Sequence, residues 1–124
     1  MMDKFKAQQV YWESIGAPAG MPAYNELTVP EEAPVRKVTY QLVTGALDGL
    51  LTASASIWDK STSWSWILQY VAQIEKLIDR QIPVDGGYMK VRKPIVNFAQ
   101  PMTEPTDDMI RRVVLTVEIE FLAG

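Results

Sequence analysis

The chain contains no cysteine and no histidine. The first absence removes disulfides, thiolate nucleophiles and cysteine-based zinc sites. The second removes every histidine-dependent triad and the commonest metal ligand. A chain without cysteine also suits a reducing cytosol. Long hydrophobic runs are missing too, since no stretch approaches the roughly 18 apolar residues that span a bilayer. The opening Met1-Met2-Asp3-Lys4-Phe5-Lys6 lacks the apolar stretch of a secretory leader, so assembly in the cytoplasm and no membrane contact are expected. Positive charge is in short supply: 12 basic residues stand against 15 acidic ones, for a net charge of −3. The densest basic group is only Lys90, Arg92 and Lys93. An electrostatic grip on nucleic-acid phosphates is therefore not expected.

What is present is an ordinary globular composition, 48% hydrophobic and 22% charged over 124 residues. That length supports one core and one domain, 1–124. The most informative segment is the closing one. Val113, Leu115, Val117, Ile119 and Phe121 alternate with Arg112, Val114, Thr116, Glu118 and Glu120. Strand side chains alternate with a period of two, so this is a half-buried β-strand from about Met109 to Phe121 with an acidic outward face.

Other elements follow from the same reading. Residues 3–15 form an N-terminal helix with Asp3 as N-cap and Gly16 as C-cap. Residues 16–34 carry Pro18, Pro22, Pro30 and Pro34 and make an extended, irregular arm whose Met21, Tyr24, Leu27 and Val29 lie against the sheet or a neighbouring copy. The α+β core spans 35–124. Strands 35–44 and 51–58 form a hairpin around Gly45-Ala46-Leu47-Asp48-Gly49. A long helix over 62–80, capped by Ser61, Thr62 or Ser63, presents Trp64, Ile67, Leu68, Val71, Ile74 and Ile78 as an apolar stripe. Pro83 to Gly87 is a turn, 88–92 a short strand bent at Pro94 and continued over 95–99, and 100–108 a loop. The fold class is α+β, with a mixed, mostly antiparallel sheet of four to five strands packed by the two helices.

Candidate sites are weighed against plainer structural roles. Asp107 and Asp108, with Glu104 nearby, could bind Mg²⁺ or Ca²⁺, or simply form a solvated loop that starts the last strand. Asp85-Gly86-Gly87 faintly resembles a phosphate cradle but lacks a P-loop lysine, so a turn is expected. Trp58, Trp64, Trp66 and Tyr70 cluster at the hairpin–helix junction. They form either a stacking platform for a ligand or core plus lateral contact. Trp66 and Tyr70 share a second helix face, which favours subunit packing. Glu118 and Glu120 share one strand face and are read as solvated or interface-lining. Arg111 and Arg112 are candidate partners for acidic groups across an oligomer interface. No catalytic residue, metal ligand or cofactor is assigned.

Three phrases carry a family resemblance: Ala33-Pro34-Val35-Arg36-Lys37-Val38-Thr39-Tyr40-Gln41-Leu42, Ile57-Trp58-Asp59-Lys60-Ser61, and Asp107-Asp108-Met109-Ile110-Arg111-Arg112 leading to Glu120-Phe121. With the order of elements from about Tyr24 onward, they resemble the tail-terminator (tail-completion) proteins of long non-contractile-tailed phages, which include minor capsid and neck proteins of prophages. The resemblance implies a non-enzymatic virion protein that forms a hexameric ring at the head-proximal end of the tail tube. Such a ring stops tube growth and joins the head, with DNA passing through the lumen unbound. Self, tail-tube and head-completion proteins are the implied partners. Divalent ions promote ring formation in some members. Tyr24, Leu27, Trp66, Tyr70, Asp107, Asp108, Arg111, Arg112, Glu118 and Glu120 are the candidate interface residues. Two alternatives stay open: another ring-forming phage part (tail-tube subunit or head–tail adaptor), or a small-molecule-binding α+β module built on the aromatic cluster.

Overall fold

A computed structural model describes residues 2–44, 49–104 and 106–123. The first helix, α1 (Lys4–Gly16), starts where expected, with the Asp3 carboxylate accepting from the Lys6 N–H at 2.7 Å. Ala7, Gln8, Tyr11, Trp12 and Ile15 recur at helical spacing and are buried. Gly16 is the last helical residue rather than the cap. The chain doubles back over it, and a Cβ there would lie 2.5 Å from the Met21 carbonyl oxygen. Only a residue without a side chain allows that approach.

Part of the arm turns out to be sheet. After a 3₁₀ turn at Ala17–Ala19, β1 (Ala23–Asn25) pairs in parallel with β2 (Lys37–Tyr40). β2 is antiparallel to β3 (Leu50–Lys60). The turn expected over 45–49 falls almost wholly outside the described residues. α2 (Ser65–Ile74) ends in a 3₁₀ turn, Glu75–Leu77, and is shorter than the 62–80 expected. Its start is delayed because serine hydroxyls accept from nearby backbone: Ser61 Oγ from Ser63 N–H at 3.1 Å, Ser63 Oγ from Ser65 N–H at 3.0 Å. Such local bonds compete with helix. Its end comes early because Arg80 already pairs with Val91.

The sheet has seven strands, more than the four to five expected. β4 (Arg80–Val84) and β5 (Gly87–Arg92) form a hairpin through Asp85-Gly86, where Gly86 takes a φ of 84°, so the glycine pair makes a turn. β6 (Ala99–Thr103) occupies what was expected to be loop. β4 and β6 each contain a proline, Pro83 and Pro101, and both lie at edges, where a missing backbone donor is tolerated. β7 (Ile110–Ala123) is the central strand. One side pairs with β3 from Lys60↔Ile110 to Leu50↔Glu120. The other is shared by β6 over Arg111–Leu115 and β5 over Glu118–Ala123.

The odd-numbered residues Val113, Leu115, Val117 and Ile119 of β7 are fully buried with Ala53, Ala55 and Ile57 of β3, in one core with both helices. Two buried tyrosines tie the helices together. Tyr11 Oη donates to the Ile78 carbonyl at 2.9 Å, and Tyr70 Oη donates to the Ile15 carbonyl at 2.6 Å. Burial raises the pKa of both phenols, with Arg80 partly opposing it at Tyr11. An acid whose folded pKa is raised holds its proton longer folded than unfolded. Its contribution is thus complete below the unfolded value of 10.0 and is lost as pH rises beyond it. Denaturant titrations at pH 8 and above pH 10 should show stability falling only in the alkaline range. Tyr11→Phe should cost about 1 kcal/mol at pH 8 and make the alkaline fall shallower. An equally steep fall in the variant would remove Tyr11 as its cause.

Candidate functional site

Because odd-numbered residues of β3 and β7 face the helices, even-numbered ones form an opposite face on which neither helix packs. Register reveals its layout. Lys37, Trp58, Arg112 and Met102 stand side by side across β2, β3, β7 and β6. Trp58 has Lys37 Nζ 5.2 Å and the Arg112 guanidinium 4.9 Å from its ring centroid. Cations over an aromatic face are held by its quadrupole. Burial lowers the pKa of Lys37. Trp58 Nε1 donates to Thr39 Oγ1 and Arg112 Nε to Ser56 Oγ, both at 2.9 Å. Arg112 also reaches Glu104 at 3.6 Å.

Further along the face come small hydroxyls, Thr52, Ser54 and Thr116, with Ser54 Oγ donating to Gln41 at 3.0 Å. Glu118 and Glu120 follow. The face is not acidic, however. Glu118 is paired with Arg92 at 3.4 Å, and Lys90 is the register partner of Glu120. Five basic side chains (Lys37, Lys60, Lys90, Arg92, Arg112) share this face with those two acids, which corrects the sequence expectation. Pairing partners 25 or more positions away in the chain decide the local charge.

The aromatic cluster does not converge. Trp58 lies on the outer face of β3, whereas Trp66 stacks on Tyr70 on α2, with centroids 5.2 Å apart and planes 8° from parallel. The Arg36 guanidinium lies 3.6 Å from the Trp66 centroid. Trp66 and Tyr70 thus share a helix face as expected, but Tyr70 is buried and the chain's own Arg36 packs on Trp66. Trp66 is left half-buried beneath a partly exposed Arg36, so this face is tied first to the chain's own arm.

Arg111 and Arg112 part company. Arg112 belongs to the outer face. Arg111 turns inward, its guanidinium 5.3 Å from the Trp64 centroid and its Nη1 donating to the Asp108 carbonyl. Asp107 accepts from the Met109 N–H at 2.9 Å, which starts β7. Glu104 is committed to Arg112. Among the described residues no group of three or more acidic side chains is placed to hold a metal ion. Tyr24 is half-buried beside an open polar hollow of about 530 Å³ between β1 and the start of α1. Leu27 is 85% exposed in the turn after β1.

Sequence reading passed over Asp59 and Gln8. Asp59 shares the inward face of β3 with Ala53, Ala55 and Ile57, so strict alternation marks it as a buried carboxylate. Gln8 lies beside Ala7 within the buried side of α1. No helix among the described residues is long and apolar enough to cross a membrane. Searches against protein-family models, curated proteins and solved structures find no match.

Proposed function

We propose that this chain is a structural protein of a phage or prophage virion. It is a tail terminator or tail-completion protein that closes into a ring at the head-proximal end of the tail and joins tail to head. It is made in the bacterial host cytoplasm and ends in the virion. Its partners are further copies of itself, the tail tube and head-completion proteins. DNA crosses the lumen without specific binding, and no reaction is catalysed.

The observation that carries this reading is the one-sided sheet. Both helices pack on one face, and the other is a broad surface of small hydroxyls with its acids beside bases. A sheet face whose acids are held beside bases suits work done by shape. The non-convergence of Trp58 with Trp64 and Trp66 counts against the small-molecule module. A heterologous contact that closes on itself limits growth without chemistry.

Size-exclusion chromatography with light scattering, joined to negative-stain microscopy, tests it. Rings are expected, with a mass that is a whole multiple of 14.0 kDa. Open tubes would point instead to a tube subunit. A monomer at every concentration that also fails to bind tail tubes would defeat the reading. Because Glu104 is paired with Arg112 and no metal-holding acidic group forms among the described residues, Mg²⁺ should leave the assembly state unchanged.

A further inference from the structure

The three most exposed large apolar side chains of the described residues are Ile95, Leu27 and Val96. They sit in two places. Leu27 stands in a hydrogen-bonded turn, where its N–H donates to Asn25 Oδ1 at 3.1 Å and the Thr28 N–H donates to the Asn25 carbonyl at 2.9 Å. The leucine is therefore held out by a fixed backbone. Around it the arm is acidic: Glu26, Glu31 and Glu32 are exposed, and none forms an ion pair among the described residues.

Ile95 and Val96 belong to the connection between β5 and β6. Together with α2 this connection walls an open groove of about 550 Å³, where apolar Leu68, Ala72 and Ile95 lie among polar Glu75, Lys93 and Asn97. Leu68, which the helical stripe assigns to the core, is instead 43% exposed at this groove. The same flank is mixed but leaves cations over. Lys93 stands at the rim paired with Glu75 and its N–H donates to Asp79, while Lys76 and Arg80 form no ion pair among the described residues. Along the sheet, β2, β3 and β7 stand between β1 and β6. One copy's turn is thus placed to reach a neighbour's groove rather than its own.

We infer that a second copy of this chain fills the groove: Leu27 of one subunit seats between α2 and the 93–98 connection of the next, with Glu26, Glu31 and Glu32 facing the neighbour's Lys76 and Arg80. Opposite charge on the two surfaces sets the direction of the contact and speeds encounter. Because turn and groove are different patches, the contact is heterologous and repeats around an axis. The inference rests on the ring reading and names its interface.

The absence of native cysteine makes the test clean. In Leu27→Cys/Ala72→Cys the only thiols are the two engineered ones. Mild oxidation should give a ladder of covalent oligomers ending at the subunit number of the ring. Leu27→Cys alone and Ala72→Cys alone should stay monomeric in denaturing gels, and their mixture should give dimers. Leu27→Asp should remain folded by circular dichroism and lose at least ten-fold in self-association. Rings without a ladder would overturn this interface while leaving the ring reading intact. Neither rings nor a ladder would overturn both. Single variants that cross-link as fast as the double, or rings that persist in Leu27→Asp, would also overturn the interface.

Discussion

Replacing Arg36 with methionine is expected to destabilise the fold by about 2–4 kcal/mol, far more than a surface ion pair would suggest. The asymmetry of the pair is the reason. Arg36 Nη2 and Nε donate to Asp59 Oδ1 at 2.9 and 3.2 Å, yet the side chains are 47% and 2% exposed respectively. Removing the arginine strands a buried carboxylate whose other oxygen, Oδ2, already lacks a hydrogen-bond partner. Arg111, the register partner of Asp59 on β7, makes no ion pair with it, and its own buried Nε is unpartnered. Asp59→Asn should cost less, about 1 kcal/mol, because the neutral amide is cheaper to bury and the arginine keeps half its surface in water. The double variant Arg36→Met/Asp59→Asn should lie near Asp59→Asn alone. Guanidinium denaturation of the four proteins measures the coupling. Additive single effects would show that the charge pair is not the cause.

The same pair connects stability to assembly. Arg36 closes the acidic arm and pins it to the sheet through Asp59 and Trp66. Limited proteolysis should therefore cut residues 26–36 faster in Arg36→Met than in the parent.

How much of this was legible depends on whether the deciding interaction is local. β7 could be read from alternation alone, because one face of a central strand is wholly buried and the pattern has no competitor. The Asp3 cap could be read because the cap bond spans three residues. The limits of α2 could not, since serine hydroxyls took the backbone donors before Ser65 and strand pairing claimed Arg80. Pro83 and Pro101 masked β4 and β6, for a proline tolerated at a sheet edge looks the same in sequence as one in a loop. Among candidate site residues, the spacing of Trp66 and Tyr70 gave their shared helix face, but nothing in it pointed to Arg36. The neighbours of Glu118 and Glu120 exist only through strand register, so an acidic stripe in sequence became a face on which bases outnumber acids. Leu27 stands 85% exposed in the turn after β1.

Gln8 provides the second large effect. Its side chain is fully buried in α1, and it is used as a piece of strand. The Gln8 Oε1 accepts from the Val43 N–H at 2.8 Å while its Nε2 donates to the Val43 carbonyl at 3.1 Å. One side-chain amide thereby satisfies both backbone groups of a residue just beyond the end of β2 at Tyr40, where the ladder no longer does so. Gln8→Leu keeps similar volume and adds apolar surface, so hydrophobicity alone predicts stabilisation. The opposite is expected, a loss of about 2–4 kcal/mol, because an N–H and a carbonyl are left without partners in a half-buried setting. Gln8→Glu should also be harmful, since a carboxylate can accept from Val43 but cannot donate to it. Urea midpoints of the three proteins test this, with amide exchange at Val43 as the local readout. Val43 should exchange faster in Gln8→Leu while the β7 amides change only with global stability. A Leu variant as stable as the parent would mean that the region after β2 draws its backbone partners from elsewhere.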